Sequence, residues 1–499
     1  MYQSVPAVAP RRAVRLVLLL GLSGIALSAC AVGPDYALPT IVLPGQWHHA
    51  AALRQVKTTE LGEWWRDLGD PTLDRLIERA VAGNLDVAAA KAKIRLARAQ
   101  WREQAGNLWP SLNGVGSATR SQTPATTSGS GKTTVGNLFQ AGLDASWEID
   151  LFGANERAVE AANATAEASE ADLQATLLTL VGDVASYYID ARGYQAEIAL
   201  ARRTAESQRS TAKLTRNKFD AGTASAVDVA KADALAATTE SDIPAYESAL
   251  AQSIHRLGLL TGAEPGALLG EMKSSAAVPS ARKALPRGIP ADLLQRRPDI
   301  RAAERRLAAA TADIGAAEAA RYPSITLSGS ISTTGTKTDQ LFKASSIAWS
   351  WGPSVNVPLF TGGRLEAAVD AAAATRDQTL ITWRSTVLSA LEDVENALVA
   401  LSAERVHQDK LSEATRNYRT AAELSRALYT SGSSSFLDVL DAEKSLYSAE
   451  TSRIASRVSL AKDHVALAKA LGGGWVKPVE SDKPEVVDET TGPHIRRPN

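Results

Sequence analysis

Two stretches of this chain, 210 residues apart, carry one pattern. Phe219-Asp220-Ala221-Gly222-Thr223-Ala224-Ser225-Ala226-Val227-Asp228-Val229 is answered by Tyr429-Thr430-Ser431-Gly432-Ser433-Ser434-Ser435-Phe436-Leu437-Asp438-Val439. Each reads aromatic, two residues, Gly, five residues, Asp-Val. Long Ala-rich runs surround both copies, and a pair of alternating apolar/polar segments precedes each run. A repeat of this length is a duplicated architecture, not a solenoid unit. The 499 residues therefore read as two intertwined halves of one body rather than several independent domains. The chain is 45% hydrophobic but only 5% aromatic, as closely packed alanine-rich helices would be. A net charge of −1 gives no basic excess for nucleic acid.

Arg11, Arg12 and Arg15 precede an apolar stretch from Leu16 to Ala29. That is a secretory signal, too short for a transmembrane helix. It ends Leu27-Ser28-Ala29-Cys30, which resembles the lipobox of bacterial lipoproteins. Its removal takes away three arginines and no acid, so the remainder is more acidic. Cys30 is the only cysteine, so an internal disulfide is excluded. Its position at the signal junction points to acylation, with a diacylglycerol and an N-acyl chain expected there. Ala31 follows rather than aspartate, which by the lipoprotein sorting pattern points to the outer membrane.

The expected organisation is a signal peptide over 1–29, an extended lipidated segment over 30–70, repeats over 71–297 and 298–475, and a flexible tail over 476–499. In the first repeat a helix runs from Pro71 to Trp109, and strands lie near 111–120 and 138–149. A long helical hairpin follows with its tip near Gly222, and then a Gly/Pro-rich connector. In the second repeat a helix starts at Pro298, strands lie near 324–333 and 346–358, and the hairpin turns near Gly432.

Phe139, Ala141, Leu143, Ala145, Trp147 and Ile149 alternate with mostly polar or small residues. Ile347, Trp349, Trp351, Pro353, Val355, Val357 and Leu359 do the same, and Ile325, Leu327, Gly329 and Ile331 share one face. Each segment is long enough for a tilted membrane strand of roughly 9–11 residues. Two soluble hairpins would alternate as well. Export, tryptophans near the segment ends and a Ser/Asn/Gly face compatible with water favour the membrane.

Four strands cannot close a membrane barrel, for which the smallest known bacterial examples need about eight. An open edge in hydrocarbon leaves N–H and C=O groups unpaired. Several copies must then share one barrel, with eight, twelve or sixteen strands all permitted. The run from Asn155 to Phe219 would be about 100 Å long as one helix. Leu173, Leu177, Leu180, Val184, Tyr187, Ala191 and Tyr194 recur at 3/4 spacing, as do Leu380, Trp383, Val387, Leu391, Val394, Leu398 and Leu401. Such stripes suit a coiled-coil seam or a bundle core.

Further motifs give the chain a family. Cys30-Ala31-Val32-Gly33-Pro34-Asp35-Tyr36, Trp64-Trp65 with Asp67, Pro71 and Leu73, Leu294-Gln295-Arg296-Arg297-Pro298-Asp299-Ile300-Arg301-Ala302-Ala303-Glu304, and Pro358-Leu359-Phe360-Thr361-Gly362-Gly363-Arg364 join the two tip motifs. Together, over Cys30 to Trp475, they resemble the TolC/OprM-like outer-membrane factors, in the lipoprotein (NodT-type) branch. The resemblance implies an α+β membrane protein, a homotrimer with a twelve-stranded barrel continued by a helical periplasmic tunnel. It implies a passive exit duct for drugs or other small molecules and no enzyme. The implied partners are an inner-membrane RND transporter, a periplasmic adaptor and outer-membrane lipid. A duct for type I protein secretion shares this architecture, and an envelope coiled-coil lipoprotein without a pore is the reading from another class.

The second tip carries Asp438 and Asp441 on one helical face. In the resembled family the Asp-Val-Leu-Asp pattern lies at the entrance constriction, with Tyr429 as the aromatic before the turn. A ring of carboxylates there would favour cations and resist anions. Helix capping is the other reading for Asp228 and Asp438. Lys231 stands where the second repeat has Asp441, and could pair with a neighbouring acid. Ser434 stands where TolC has an arginine, so a latch of that kind does not transfer. Gly222 and Gly432 suit a left-handed turn and, with their small neighbours, an adaptor docking edge. The six histidines show no metal-ligand clustering, and no phosphate loop or nucleophile motif appears, so no metal or cofactor is expected beyond the lipid on Cys30.

Overall fold

The computed structural model describes residues 31–49, 61–126, 131–281, 297–341, 343–474 and 477–482. The signal segment, Cys30, the stretch Leu294–Arg296 and Trp475 lie outside the described residues. The order is α1 (Pro71–Gly83), α2 (Leu85–Gly106), β1 (Ser111–Thr123), β2 (Thr134–Ile149), α3 (Ala154–Asp220), α4 (Ala226–Leu260), α5 (Pro298–Ala319), β3 (Ser324–Gly335), β4 (Ile347–Asn356), α6 (Arg364–Ser431) and α7 (Phe436–Ala470). The chain divides into two units. One takes residues up to Pro39, Leu96–Ala168 and Ala303–Trp383; the other takes Thr40–Arg95, Ser169–Ala302 and residues from Arg384 onward.

The first unit holds one antiparallel sheet in the order β1-β2-β3-β4. Opposed residues share a face, so the register sorts the side chains. Leu143 faces Gly114 and Ile331, and Ile331 faces Trp349. Ala145 faces Leu112 and Gly329, and Gly329 faces Trp351. One residue along, Asp144 faces Asn113 and Ser330, and Ser330 faces Ser350. The Ser330 and Ser350 hydroxyls lie 2.9 Å apart. One face is thus apolar over most of its area, and the other is lined by Ser, Thr, Asn, Gln, Asp144 and Glu148. Beside the sheet, Ala161 and Ala164 of α3 pack on Ala308, Ala309 and Ala312 of α5. Small side chains at this contact let the two helices approach closely. Tyr36 packs there too and donates a hydrogen bond to Glu304.

In the second unit α1 starts at a proline, with Asp70 as its cap accepting from the Thr72 N–H at 2.9 Å. Leu73, Leu76, Ile77, Ala80 and Val81 form its buried stripe. The expectation of one helix from Pro71 to Trp109 fails at Asn84, which takes an extended conformation. Its Oδ1 accepts from the N–H groups of Asp86 and Val87, and its Nδ2 donates to the Leu260 carbonyl at 3.0 Å. An Asn side chain that satisfies the first N–H groups of α2 and a distant carbonyl outweighs helix continuity. The segment before α1 also departs from a purely extended reading, since Trp64–Leu68 forms a 3-10 turn with Trp64, Trp65 and Leu68 buried.

His464 of α7 is 2% exposed, and its ring lies 6.5 Å from that of Trp64. Its Nε2 has no hydrogen-bond partner among the described residues. Burial pushes its pKa down to about 4, with Arg405 adding to the shift and Asp67 opposing it. The unfolded chain takes up this proton near pH ~6.5, so stability is lost as pH falls from there through the folded value. The full loss is about 3 kcal/mol for this group alone. Thermal melts at pH 7 and 4.5 are expected to differ less in His464→Gln than in the parent; equal differences would contradict the assignment.

Candidate functional site

Both helical turns are built alike. Helix α3 ends with Gly222 at φ +75° and α6 with Gly432 at φ +81°. The Gly222 N–H donates to the Phe219 carbonyl and Thr223 to Lys218; Gly432 donates to Tyr429 and Ser433 to Leu428. These bonds satisfy the last carbonyls of each helix, and the left-handed backbone favours glycine at both positions. The next helix starts at once. Ser225 and Asp228 form a capping box at the head of α4, and Ser435 and Asp438 form one at the head of α7.

Asp438 is therefore a capping residue that also stays exposed. Its Oδ2 accepts from Ser434 Oγ at 2.7 Å, Ser435 Oγ at 2.9 Å and the Ser435 N–H at 3.1 Å. The Ser434 and then the Ser435 hydroxyls hold its pKa below the ordinary carboxylate value. Asp441 lies one turn further along α7, also exposed, with no hydrogen bond or ion pair among the described residues. Lys231 is exposed too and makes no ion pair among the described residues of one chain.

Tyr429 is buried rather than displayed. Its ring packs 5.7 Å from that of Phe436, in a cluster with Ala212, Ala232 and Val439. Its hydroxyl donates to Thr215 Oγ1 on α3 at 3.2 Å, and the Lys218 ammonium sits 4.9 Å from the ring centre. The tip of the second hairpin is thereby fastened to α3 of the first.

A second fastening was not anticipated from the sequence. Glu443 of α7 is 4% exposed. Its Oε1 accepts from Arg426 Nη2 of α6 at 2.7 Å and from Thr211 Oγ1 of α3 at 2.9 Å. The same Arg426 nitrogen donates to Ser207 Oγ at 2.9 Å. One carboxylate and one guanidinium thus clasp three helices just behind the tips. The signal was present: Phe436, Val439, Glu443 and Leu446 share one helical stripe, and a carboxylate on an apolar stripe needs a cation.

Apart from the tips, the sheet is the other candidate for a functional surface. Among the described residues β1 and β4 each have one unpaired edge, and unpaired backbone groups cost several kcal/mol apiece in hydrocarbon. Among the described residues no helix is long and apolar enough to cross a membrane, and no cluster of His, Cys, Asp or Glu is placed to hold a metal.

Known proteins resemble this arrangement. The pattern of the outer membrane efflux protein family matches residues 76–263 and 289–473. Nodulation protein T of Rhizobium leguminosarum bv. trifolii is 36% identical, covering 90% of this chain and 95% of its own. Toluene efflux pump outer membrane protein TtgI of Pseudomonas putida is 33% identical, covering 90% and 96%. The solved outer-membrane channel OprN matches with a TM-score of 0.84 and 35% identity, covering 89% of this chain and all of that one.

Proposed function

Because the chain belongs to the outer membrane efflux protein family, we propose that three copies close a twelve-stranded barrel and serve as the passive exit duct of a tripartite, RND-type efflux system. The protein resides in the bacterial outer membrane and extends into the periplasm, as its relatives do. The observation that carries the reading is the four-stranded sheet with one apolar face, one polar face and two free edges. Copies joined edge to edge satisfy those backbone groups, set the apolar face toward lipid and enclose a water-filled lumen lined by Ser, Thr and acids. Cys30, acylated with diacylglycerol and N-acyl chains, adds a lipid anchor.

At the tips, the symmetry of the ring gathers three copies of Asp438 and Asp441. The capping box orients Asp438, and Asp441 is the carboxylate left free to meet a passing ion. Together they make the entrance selective for cations. Gly222 and Gly432, with Ser434 beside the second turn, form the edges where a periplasmic adaptor docks. The energy for transport comes from the inner-membrane pump, and the cargo is of the small-molecule class that toluene exemplifies in TtgI. The duct itself performs no chemistry.

The test is electrical. Purified protein in a planar bilayer is expected to give discrete conductance steps with a preference for K+ over Cl−. Asp438→Ala combined with Asp441→Ala is expected to bring that preference severalfold closer to unity and to admit more vancomycin in cells. Absence of any conductance from the parent protein would end the channel reading. An unchanged ion preference and unchanged vancomycin influx would remove the carboxylates from the entrance.

A further inference from the structure

Each half of the chain enters its first strand through an aromatic and Pro-Ser, at Trp109-Pro110-Ser111 and Tyr322-Pro323-Ser324. Each half leaves its second strand through Leu-Phe, at Leu151-Phe152 and Leu359-Phe360. Inside the chain, β2 of the first half meets β3 of the second, with Ile149 opposite Ile325. Following that register three residues beyond each of these brings Phe152 beside Tyr322. Their rings are stacked, with centroids 4.7 Å apart and planes at 20°. The counterparts of this pair have no such contact. Phe360 is 92% exposed and Trp109 is 73% exposed. The strands they flank, β4 and β1, are the two free edges.

We infer that β4 pairs with β1 of a second copy in the register of the β2–β3 seam, and that Phe360 stacks on Trp109 of the partner subunit. This rests on the channel reading above and names its subunit contact. The direction is right, because alternation through four antiparallel strands leaves β4 antiparallel to β1 of a second copy. The faces also match. Setting Phe360 opposite Trp109 of the partner subunit puts Val357 opposite the partner's Leu112 and Val355 opposite the partner's Gly114. Pro353 then falls opposite the partner's Gly116, and Trp351 opposite the partner's Ala118. Every one of these residues belongs to the apolar face, and Trp351 meets a small residue. A slip of one residue would oppose apolar to polar positions along the whole edge. A slip of two keeps the faces but separates the aromatic pair. The hairpins inside the chain do differ by such a slip, since Ser111 faces Ser146, six residues before Phe152, whereas Ser324 faces Asn356, four before Phe360. The pairing also carries β4 past Asn356 to Val357, as β2 runs on to Ile149.

Disulfide trapping in the full-length protein separates the two registers. Directly opposed residues have Cβ atoms about 4.5–5.5 Å apart, and diagonal neighbours about 7–8 Å, while a disulfide needs about 3.5–4.5 Å. Leu112→Cys with Val357→Cys is expected to oxidise into a covalent ladder ending at three chains, and Gly114→Cys with Val357→Cys to give far less. Each single variant controls for pairing with Cys30. As a second readout, Phe360→Ala is expected to shorten the lifetime of the assembled oligomer in detergent about tenfold, the scale of a lost aromatic contact. Stronger trapping by the Gly114 pair overturns the register and leaves the channel standing. So does trapping by neither pair while native mass spectrometry still finds several chains, or an unchanged lifetime in Phe360→Ala. A native mass of one chain overturns both.

Discussion

Arg426→Ala is expected to lower stability by about 3 kcal/mol and to loosen the tips. The substitution leaves the Glu443 carboxylate buried with Thr211 Oγ1 as its only donor among the described residues. Removing one member of a buried pair costs about 3–5 kcal/mol, and the lower end applies because Arg426 is itself part-exposed. The effect reaches beyond the pair, because Arg426 also holds Ser207 of the neighbouring hairpin. Thermal unfolding should shift down, and the channel in a planar bilayer should spend more time conducting. Arg426→Lys keeps the charge but not the forked geometry, so it should fall between the two. A variant as stable and as closed as the parent would show that the clasp contributes nothing to holding the tips.

The second large effect concerns the two faces of the sheet. Leu143 sits within the apolar run Phe139–Ile149, opposite Gly114 and Ile331. Arginine on a lipid-facing strand position costs about 2–4 kcal/mol per chain at mid-membrane. In the proposed three-chain barrel the cost would be ~6–12 kcal/mol, comparable with the entire stability of an ordinary domain. Leu143→Arg should therefore fail to accumulate as an assembled oligomer in the outer membrane. Ser330→Arg lies on the opposite face, facing Asp144. It should assemble normally and reduce single-channel conductance. Equal damage from both substitutions would mean that the sheet does not separate lipid from water.

Much of this architecture is written locally. The alternation from Phe139 to Ile149 is a strand with unlike faces, and Gly222 and Gly432 end helices because their φ values are positive. Helix α3 reaches 67 residues and α6 reaches 68 with no proline inside either. Other features depend on partners far along the chain. Asn84 breaks a helix-compatible run because the Leu260 carbonyl, 176 residues away, accepts from its side chain. β1 continues past Arg120 to Thr123 although Ser121, Gln122 and Thr123 carry no apolar alternation; pairing with Thr134 to Gly136 sets its length.

The tips show the same division. The spacing of Ser225 to Asp228 and of Ser435 to Asp438 is a capping signature, and both boxes form. Tyr429 reads as the aromatic before a turn, and its burial against Thr215 and Lys218 of the other hairpin has no local signature. The Glu443–Thr211 contact spans 232 residues and has no local signature beyond an acid on an apolar stripe. What joins the two hairpins is settled by helix packing, which a linear pattern does not record.

The native mass of the detergent-extracted protein bears most directly on whether one chain contributes only part of a barrel. The free edges of β1 and β4 require company in a membrane, and the proposed twelve-stranded barrel sets the expected mass at three chains, with no stable single-chain species before denaturation. A homogeneous single chain that nevertheless forms conducting pores would contradict the account.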